Sequence, residues 1–259
     1  MRYLSMERIK DFFKNENIEF YAVLPADSAE IINTSRQSET EGFKSIIVFL
    51  MPYKTHLSPS RNLARFASAR DYHLYASRLF ERFEVFFPNC RCYCDNSPVN
   101  EKLLAARAGL GVIGDNTLLI NEKYGSFVFI GEIFLKEKFE NYTPLHTVRK
   151  CISCGACKKA CPVELDFSRC ISAINQKKKI SPDEQEIIRT SQYKWGCDHC
   201  QDVCPYNLNA PETPIDFFKN EILDNLTAEK LDIILQNGSF SQRAYAWRGE
   251  KTVRRNIEL

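Results

Sequence analysis

Eleven cysteines punctuate the 259 residues, and eight of them lie between Cys151 and Cys204. Cys151, Cys154, Cys157 and Cys161-Pro162 have the spacing C-x2-C-x2-C-x3-C-P. In that spacing three thiolates hold one 4Fe–4S cubane and the fourth ligates a second. A tight loop offers three sulfurs to three irons. The chain then turns into a helix, and the fourth sulfur is carried away to the other cube. The proline after that cysteine fixes φ and ends the loop. The second run, Cys197, Cys200 and Cys204-Pro205, reads C-x2-C-x3-C-P and is one ligand short. Cys170, between the runs, is the nearby candidate for the missing thiolate. If each Cys-Pro cysteine crosses over, one cluster takes Cys151, Cys154, Cys157 and Cys204. The other then takes Cys161, Cys170, Cys197 and Cys200. Structural zinc and disulfides are the competing readings. Paired C-x2-C motifs do bind zinc, but zinc leaves the Cys-Pro endings and the third cysteine of the first run unexplained.

A double-cluster module joined to a larger domain implies an electron acceptor in that domain. Gly109-Leu110-Gly111-Val112-Ile113-Gly114 matches GxGxxG, but it follows an expected helix rather than a strand, so the dinucleotide reading fails its context. Asp71-Tyr72-His73 has the start of a cobalamin-binding D-x-H-x-x-G run, with Ala76 where glycine is needed. His73 therefore reads as a polar helix face. Cys90, Cys92 and Cys94 alternate along an expected strand. One zinc cannot gather three sulfurs from an extended strand, so they read as reduced core thiols. Asp95 stands where that strand meets a helix, a corner at which catalytic side chains are often mounted. A helix-capping carboxylate is the equal alternative.

These residues need elements to hold them. Residues 3–16 carry an amphipathic helical pattern. Ile18–Leu24 reads as a strand closed by Pro25, and Ser45–Met51 as a buried central strand closed by Pro52. Residues 61–82 are spaced as a helix, and Val85–Cys94 as a strand. Ser97-Pro98 predicts a helix start, serine capping and proline at the first position, with the helix stopped by Gly109. Thr117–Ile120 and Ser126–Phe134 predict a hairpin. The expected organisation is an α+β protein in three parts: a catalytic domain over 1–145, a dicluster module over 146–212 and a short helical tail over 213–259.

The net charge of +2 demands neither nucleic acid nor membrane. No stretch reaches the ~18 uninterrupted apolar residues of a spanning helix. The first residues lack the apolar core of a signal peptide, so the expected setting is a reducing cytoplasm, where such cysteine patterns mean metal.

Several segments together resemble the epoxyqueuosine reductase family, cobalamin-dependent iron–sulfur enzymes of queuosine synthesis in tRNA. They are Arg65-Phe66-Ala67-Ser68-Ala69-Arg70-Asp71-Tyr72-His73, Cys94-Asp95-Asn96-Ser97-Pro98-Val99, Ala108–Gly114, Gly125–Ile133 and the whole cysteine array with Arg169-Cys170-Ile171-Ser172. The likeness covers about residues 1–210 and weakly Arg254-Arg255-Asn256. It implies an N-terminal α/β cobalamin-binding domain with a nitroreductase-like fold, followed by a bacterial-ferredoxin-like domain. It implies two 4Fe–4S clusters and cobalamin as cofactors, Asp95 as proton donor, and Leu119, Ile130, Ile133 and Ser172 near the corrin. It implies tRNA as partner and an external low-potential donor such as a flavodoxin or ferredoxin. The family usually carries a C-terminal helical-repeat domain that helps hold tRNA; this chain stops near where that domain would begin. The segment from Cys161 to Cys170 is also shorter than usual. Two rival readings stay open here. One is the same machinery acting on a small epoxide or organohalide. The other is a dicluster electron carrier that is not an enzyme.

Overall fold

The computed structural model describes residues 6–259; the expected helix start at residue 3 lies outside the described residues. Packing divides the chain into two compact units. One contains the chain up to Pro52 with Ala76–Cys154, the other Tyr53–Tyr75 with Gly155–Leu259.

The first unit is built on an antiparallel sheet with strand order β1-β2-β6-β3. Its strands are β1 (Tyr21–Pro25), β2 (Ser45–Pro52), β3 (Arg91–Cys94) and β6 (Val128–Leu135); β4 (Val112–Ile113) and β5 (Leu119–Ile120) pair separately. The helices of this half of the chain are α1 (Met6–Asn15), α2 (Arg65–Ser68), α3 (Tyr72–Phe86) and α4 (Glu101–Arg107). Every residue of β2 is buried, because both faces of the sheet are covered. Ile46, Val48 and Leu50 share a core with Leu104 and Ala105 of α4. On the opposite face Phe49 meets Phe13 of α1 and Phe80 of α3, with ring centroids 5.1 and 6.4 Å apart. Gly131 of β6 lies opposite Phe49, and a Cβ there would stand 2.2 Å from the phenyl ring.

Three expectations need correction. The helical stretch over 61–82 is broken between Ser68 and Tyr72 and then runs on to Phe86. The strand expected from Val85 shrinks to Arg91–Cys94. Phe83 and Phe87 are buried one helical turn apart, whereas Val85 and Phe86 point outward, 78% and 50% exposed; the apolar residues that suggested a strand sit on two sides of a helix. The next helix starts at Glu101 rather than at Ser97-Pro98. Asn100 caps it, accepting the Leu103 N–H at 3.2 Å. The chain at 98–99 stays extended, because the Pro98 carbonyl takes the N–H groups of Ile32 and Asn33 and Val99 pairs with Ile31. The expected hairpin is limited to the Asn121–Gly125 bridge; beyond it β5 turns to β4 and β6 enters the main sheet.

The second unit contains α2 and the short helices α5 (Ala156–Ala160), α6 (Ile171–Ile174), α7 (Pro182–Thr190), α8 (His199–Asp202) and α9 (Pro205–Leu208), with α10 (Ala228–Gln236) and α11 (Glu250–Glu258) after them. Residues 53–75 belong to it through backbone hydrogen bonds. Ala64 N–H donates to Trp195 O and Lys194 N–H to Asn62 O, at 2.9 and 2.8 Å. The tail is tied in too. Buried Asn256 of α11 donates to the Asn175 and Lys194 carbonyls at 2.6 and 3.0 Å. No helix among the described residues is long and apolar enough to cross a membrane.

Candidate active-site corner and cluster cysteines

Asp95 follows the last residue of β3 and has φ of +65°, in the left-handed region that side-chain-bearing residues seldom occupy. The Asn96 N–H donates back to the Cys94 carbonyl at 2.9 Å, so Asp95 is the centre of a three-residue turn, a strained form. Such strain persists only where surrounding structure enforces it. Here Arg36 does so, donating to the Asn96 backbone and side-chain oxygens at 2.9 and 2.6 Å. Arg36 is itself held by Glu39, whose carboxyl Arg36 and then Tyr93 lower to about 2. The outcome is an exposed carboxylate on a braced turn.

Two further carboxyls lie behind it, and neither was singled out by sequence reasoning. Glu101 opens α4, and one of its oxygens is buried without a partner. Burial, and after it the charge of Asp95, raises Glu101 to about 7. Glu132 is 1% exposed in β6, facing Val48 and Tyr93 across the sheet. Strand alternation puts it on the face that α4 covers, with Ile130 and Phe134. The Ser97 hydroxyl approaches it without the geometry of a full hydrogen bond. Burial raises Glu132 to about 8, and Glu101 adds to the rise. The sequence held one clue: Glu132 is the lone charge in V-F-I-G-E-I-F-L.

The residues expected near a corrin are only partly brought together. Leu119 and Ile130 belong to one apolar cluster. Ile133 is on the other face of the sheet, opposite Ile47 and Cys92. All three side chains are enclosed by protein, at 3%, 5% and 0% exposure. Ser172, in the second unit, is half-buried in α6, and its backbone and side-chain oxygens accept from Gln176. His73 is exposed and bonded to Asp71 at 2.8 Å, as a polar helix face should be. Cys90 precedes β3, and its sulfur lies 3.7 Å from that of Cys92.

None of the eight cysteines of the expected cluster set is in a disulfide. Cys157 lies in α5 and Cys200 in α8, two helices that pack together. Cys161 and Cys204 are both extended before their prolines, with ψ of 121° and 124°, as a pre-proline residue must be. The two runs therefore leave their helices in the same way. Cys151 donates its N–H to the Ile113 carbonyl at 3.0 Å, so the glycine-punctuated loop after α4 anchors the first cysteine. Cys170 caps α6. Burial pushes the Cys197 thiol up to about 12, and Cys200 and Cys170 stand close enough to add to the rise. Among the described residues no three His, Cys, Asp or Glu side chains converge on one ion. A cubane does not ask for that, since each thiolate takes its own iron.

The loop of Cys197 and Cys200 is set by groups that sequence reasoning missed. Gly196 has φ of +68°, and a Cβ there would lie 2.5 Å from that of Ala64. Asn175 holds Gly196 by both its N–H and its carbonyl. Asp198, fully buried, accepts from Arg61 at 3.1 Å and from the Arg65 N–H at 2.8 Å. Burial raises its carboxyl, and those two donors oppose the rise.

A 4Fe-4S double cluster binding domain model matches residues 150–207. The epoxyqueuosine reductase of Leadbetterella byssophila is 34% identical over 212 residues, which cover 73% of this chain and 69% of that one. The chain belongs to the epoxyqueuosine reductase family. The enzyme of Atelocyanobacterium thalassa is 33% identical over 238 residues, 83% of this chain and 77% of that one. A crystal structure of epoxyqueuosine reductase with an epoxyqueuosine-modified tRNA-Tyr stem loop superposes with a TM-score of 0.77 at 22% identity, covering 97% of this chain and 79% of that one. That likeness shows the fold, a mixed sheet-and-helix architecture. Within the family, the matched double-cluster stretch contains every cysteine of the expected ligand set.

Proposed function

We propose that this chain is a cobalamin-dependent iron–sulfur reductase that converts epoxyqueuosine to queuosine in tRNA, in the cytoplasm. The observation that carries this reading is the braced, exposed Asp95 in a chain of this family that also holds a double-cluster cysteine set. The relative bound to a modified stem loop makes the tRNA form the substrate to test first.

The net reaction opens the epoxide, removes its oxygen as water and leaves a double bond, consuming two electrons and two protons. The electrons enter from an external low-potential donor of the flavodoxin or ferredoxin class. The eight thiols, none in a disulfide, suit two cubanes in the crossed arrangement, with Cys151, Cys154, Cys157 and Cys204 on one and Cys161, Cys170, Cys197 and Cys200 on the other. Cobalamin, when bound, supplies low-potential cobalt chemistry toward the substrate. Of the side chains expected to meet it, Asp95 offers an exposed carboxyl and Ser172 a half-buried hydroxyl. Leu119, Ile130 and Ile133 are core residues and support the corner rather than line it. Asp95 donates a proton to the departing oxygen, the task of a general acid. Its turn holds that carboxyl at a fixed point, which lets proximity contribute to the rate.

The test is turnover by anaerobically reconstituted chain of an epoxyqueuosine stem loop and of the free nucleoside. Formation of queuosine with two electrons consumed per product is expected. Conversion of neither substrate, with both clusters present, refutes the reading and favours the small-epoxide or organohalide alternative.

A further inference from the structure

We propose that Cys90 and Cys92 form a redox-active dithiol that closes to a disulfide by exchange with a small disulfide such as glutathione disulfide, and that closure loosens the turn of Asp95. The second half rests on the function given above; the first stands without it. The two sulfurs lie 3.7 Å apart, in contact. Both residues are half-buried, whereas Cys94 is buried, so the first two depart from the core-thiol reading. β3 is an edge strand, paired with β6 alone. Cys90 stands before it, after a bend at Asn89 with φ of +65°. Residues two apart on a strand are about 6.6 Å apart, near the upper limit that a disulfide spans. Closure therefore needs only a small contraction of the chain at an edge that no second strand holds. The hydrogen bond from Cys92 lowers the Cys90 thiol, against burial and the charges of Glu84 and Glu137, and Cys92 is itself raised. The first thiolate forms on Cys90, and the thiolate is the attacking species.

In the first step the Cys90 thiolate attacks one sulfur of glutathione disulfide. A bond forms between that sulfur and Cys90, the glutathione S–S bond breaks, and one glutathione thiolate leaves and takes up a proton. In the second step the Cys92 sulfur gives up its proton and attacks the Cys90 sulfur, and the second glutathione leaves. The two cysteines lose two electrons and two protons, and glutathione disulfide gains both. A ring spanning three residues is strained, and strained or exposed disulfides are the labile, regulatory kind, so thiols reopen it. Arg91 lies inside that ring. It pairs with Phe134 and donates to the Glu39 carbonyl at 3.0 Å. The Glu39 carboxylate holds Arg36 at 2.6 and 2.8 Å, and Arg36 braces Asn96. Closure draws residues 90–92 out of the extended form, and the displacement of Arg91 reaches the Asp95 turn through those bonds.

The test treats the full chain, its clusters and cobalamin in place, with glutathione disulfide under anaerobic conditions. Remaining thiols are then alkylated in denaturant, and the chain is cut after Arg91 and read by mass spectrometry. In the reduced wild type the cut should separate Cys90 from Cys92. In the treated wild type the two fragments should stay joined, with Cys94 alkylated, and dithiothreitol should part them. Cys92→Ser should stop at one glutathione adduct on Cys90. Turnover of the stem loop by the treated wild type should fall by about 10²-fold, the scale of a displaced catalytic group. Cluster absorbance should not change, and reduction should restore the rate. Cys90→Ser should keep its rate through the same treatment. Alkylation of both Cys90 and Cys92 after treatment overturns the proposal. A disulfide that leaves turnover at full rate overturns its second half, as does an equal loss of rate in Cys90→Ser. A disulfide in a chain that converts no epoxyqueuosine even when reduced supports the dithiol and overturns the function.

Discussion

Asp95, Glu101 and Glu132 show how differently a carboxylate can read in sequence and in space. The chain reads C-D-N-S-P-V, and Asp95 was visible there as a corner residue. Burial falls on Glu101 and Glu132, through a helix start and a strand register that no local pattern reveals. Their stability linkage has a definite sign. Glu132 is raised in the folded chain from 4.5 to about 8, so the folded state holds its proton more tightly than the unfolded state. Its contribution is complete below the ordinary glutamate range and is lost as pH climbs through about 8. The melting temperature of the wild type should therefore fall between about pH 4.5 and 8, and that of Glu132→Gln should fall less. Equal slopes would show that Glu132 is not held neutral. Arg61 is the converse case, a buried cation 3% exposed against Asp198. Arg61→Ala leaves that carboxylate without its ion pair and should cost about 3–5 kcal/mol. Chemical denaturation, with the iron content followed in parallel, measures this. A loss under about 1 kcal/mol would mean that the pair is solvated like a surface salt bridge.

The elements were legible where periodicity and punctuation agreed. β2 followed from its unbroken apolar run and closing proline, and α1 from its amphipathic spacing. α3 was misread because its apolar residues lie on two sides of the helix, Phe83 and Phe87 inward and Val85 and Phe86 outward. The α4 start was misread because Ser-Pro is a sound cap signal that pairing of Val99 with Ile31 overrides. β6 is the element on which the first unit depends, since it pairs with both β2 and β3 and carries Glu132. Its Gly131 leaves room for the Phe49 ring. Gly131→Ala should destabilise the fold by about 1–3 kcal/mol through overpacking, and Gly131→Ala with Phe49→Leu should recover part of it. A neutral single variant would show that the sheet yields at this point.

For the chain as a whole, the cysteine array was nearly complete in the sequence, because ligand spacing is a local property. The groups that fix it were not, since Arg61, Asn175 and Asn256 meet the array from distant positions. The tail that read as an appendage closes on Asn175 through Asn256. Eight thiolates in this spacing predict about eight irons per chain, and Cys170→Ser should deplete the cluster of Cys161, Cys197 and Cys200 while sparing the other. Four irons in the wild type would reject the assignment. The most direct test of the central claim is single turnover of an epoxyqueuosine stem loop by Asp95→Asn with its clusters and cobalamin in place. The variant should fold, keep its iron, bind cobalamin and convert the substrate ~10²–10⁴-fold more slowly than the wild type. Conversion at the wild-type rate would contradict the account, because the proton would then come from elsewhere.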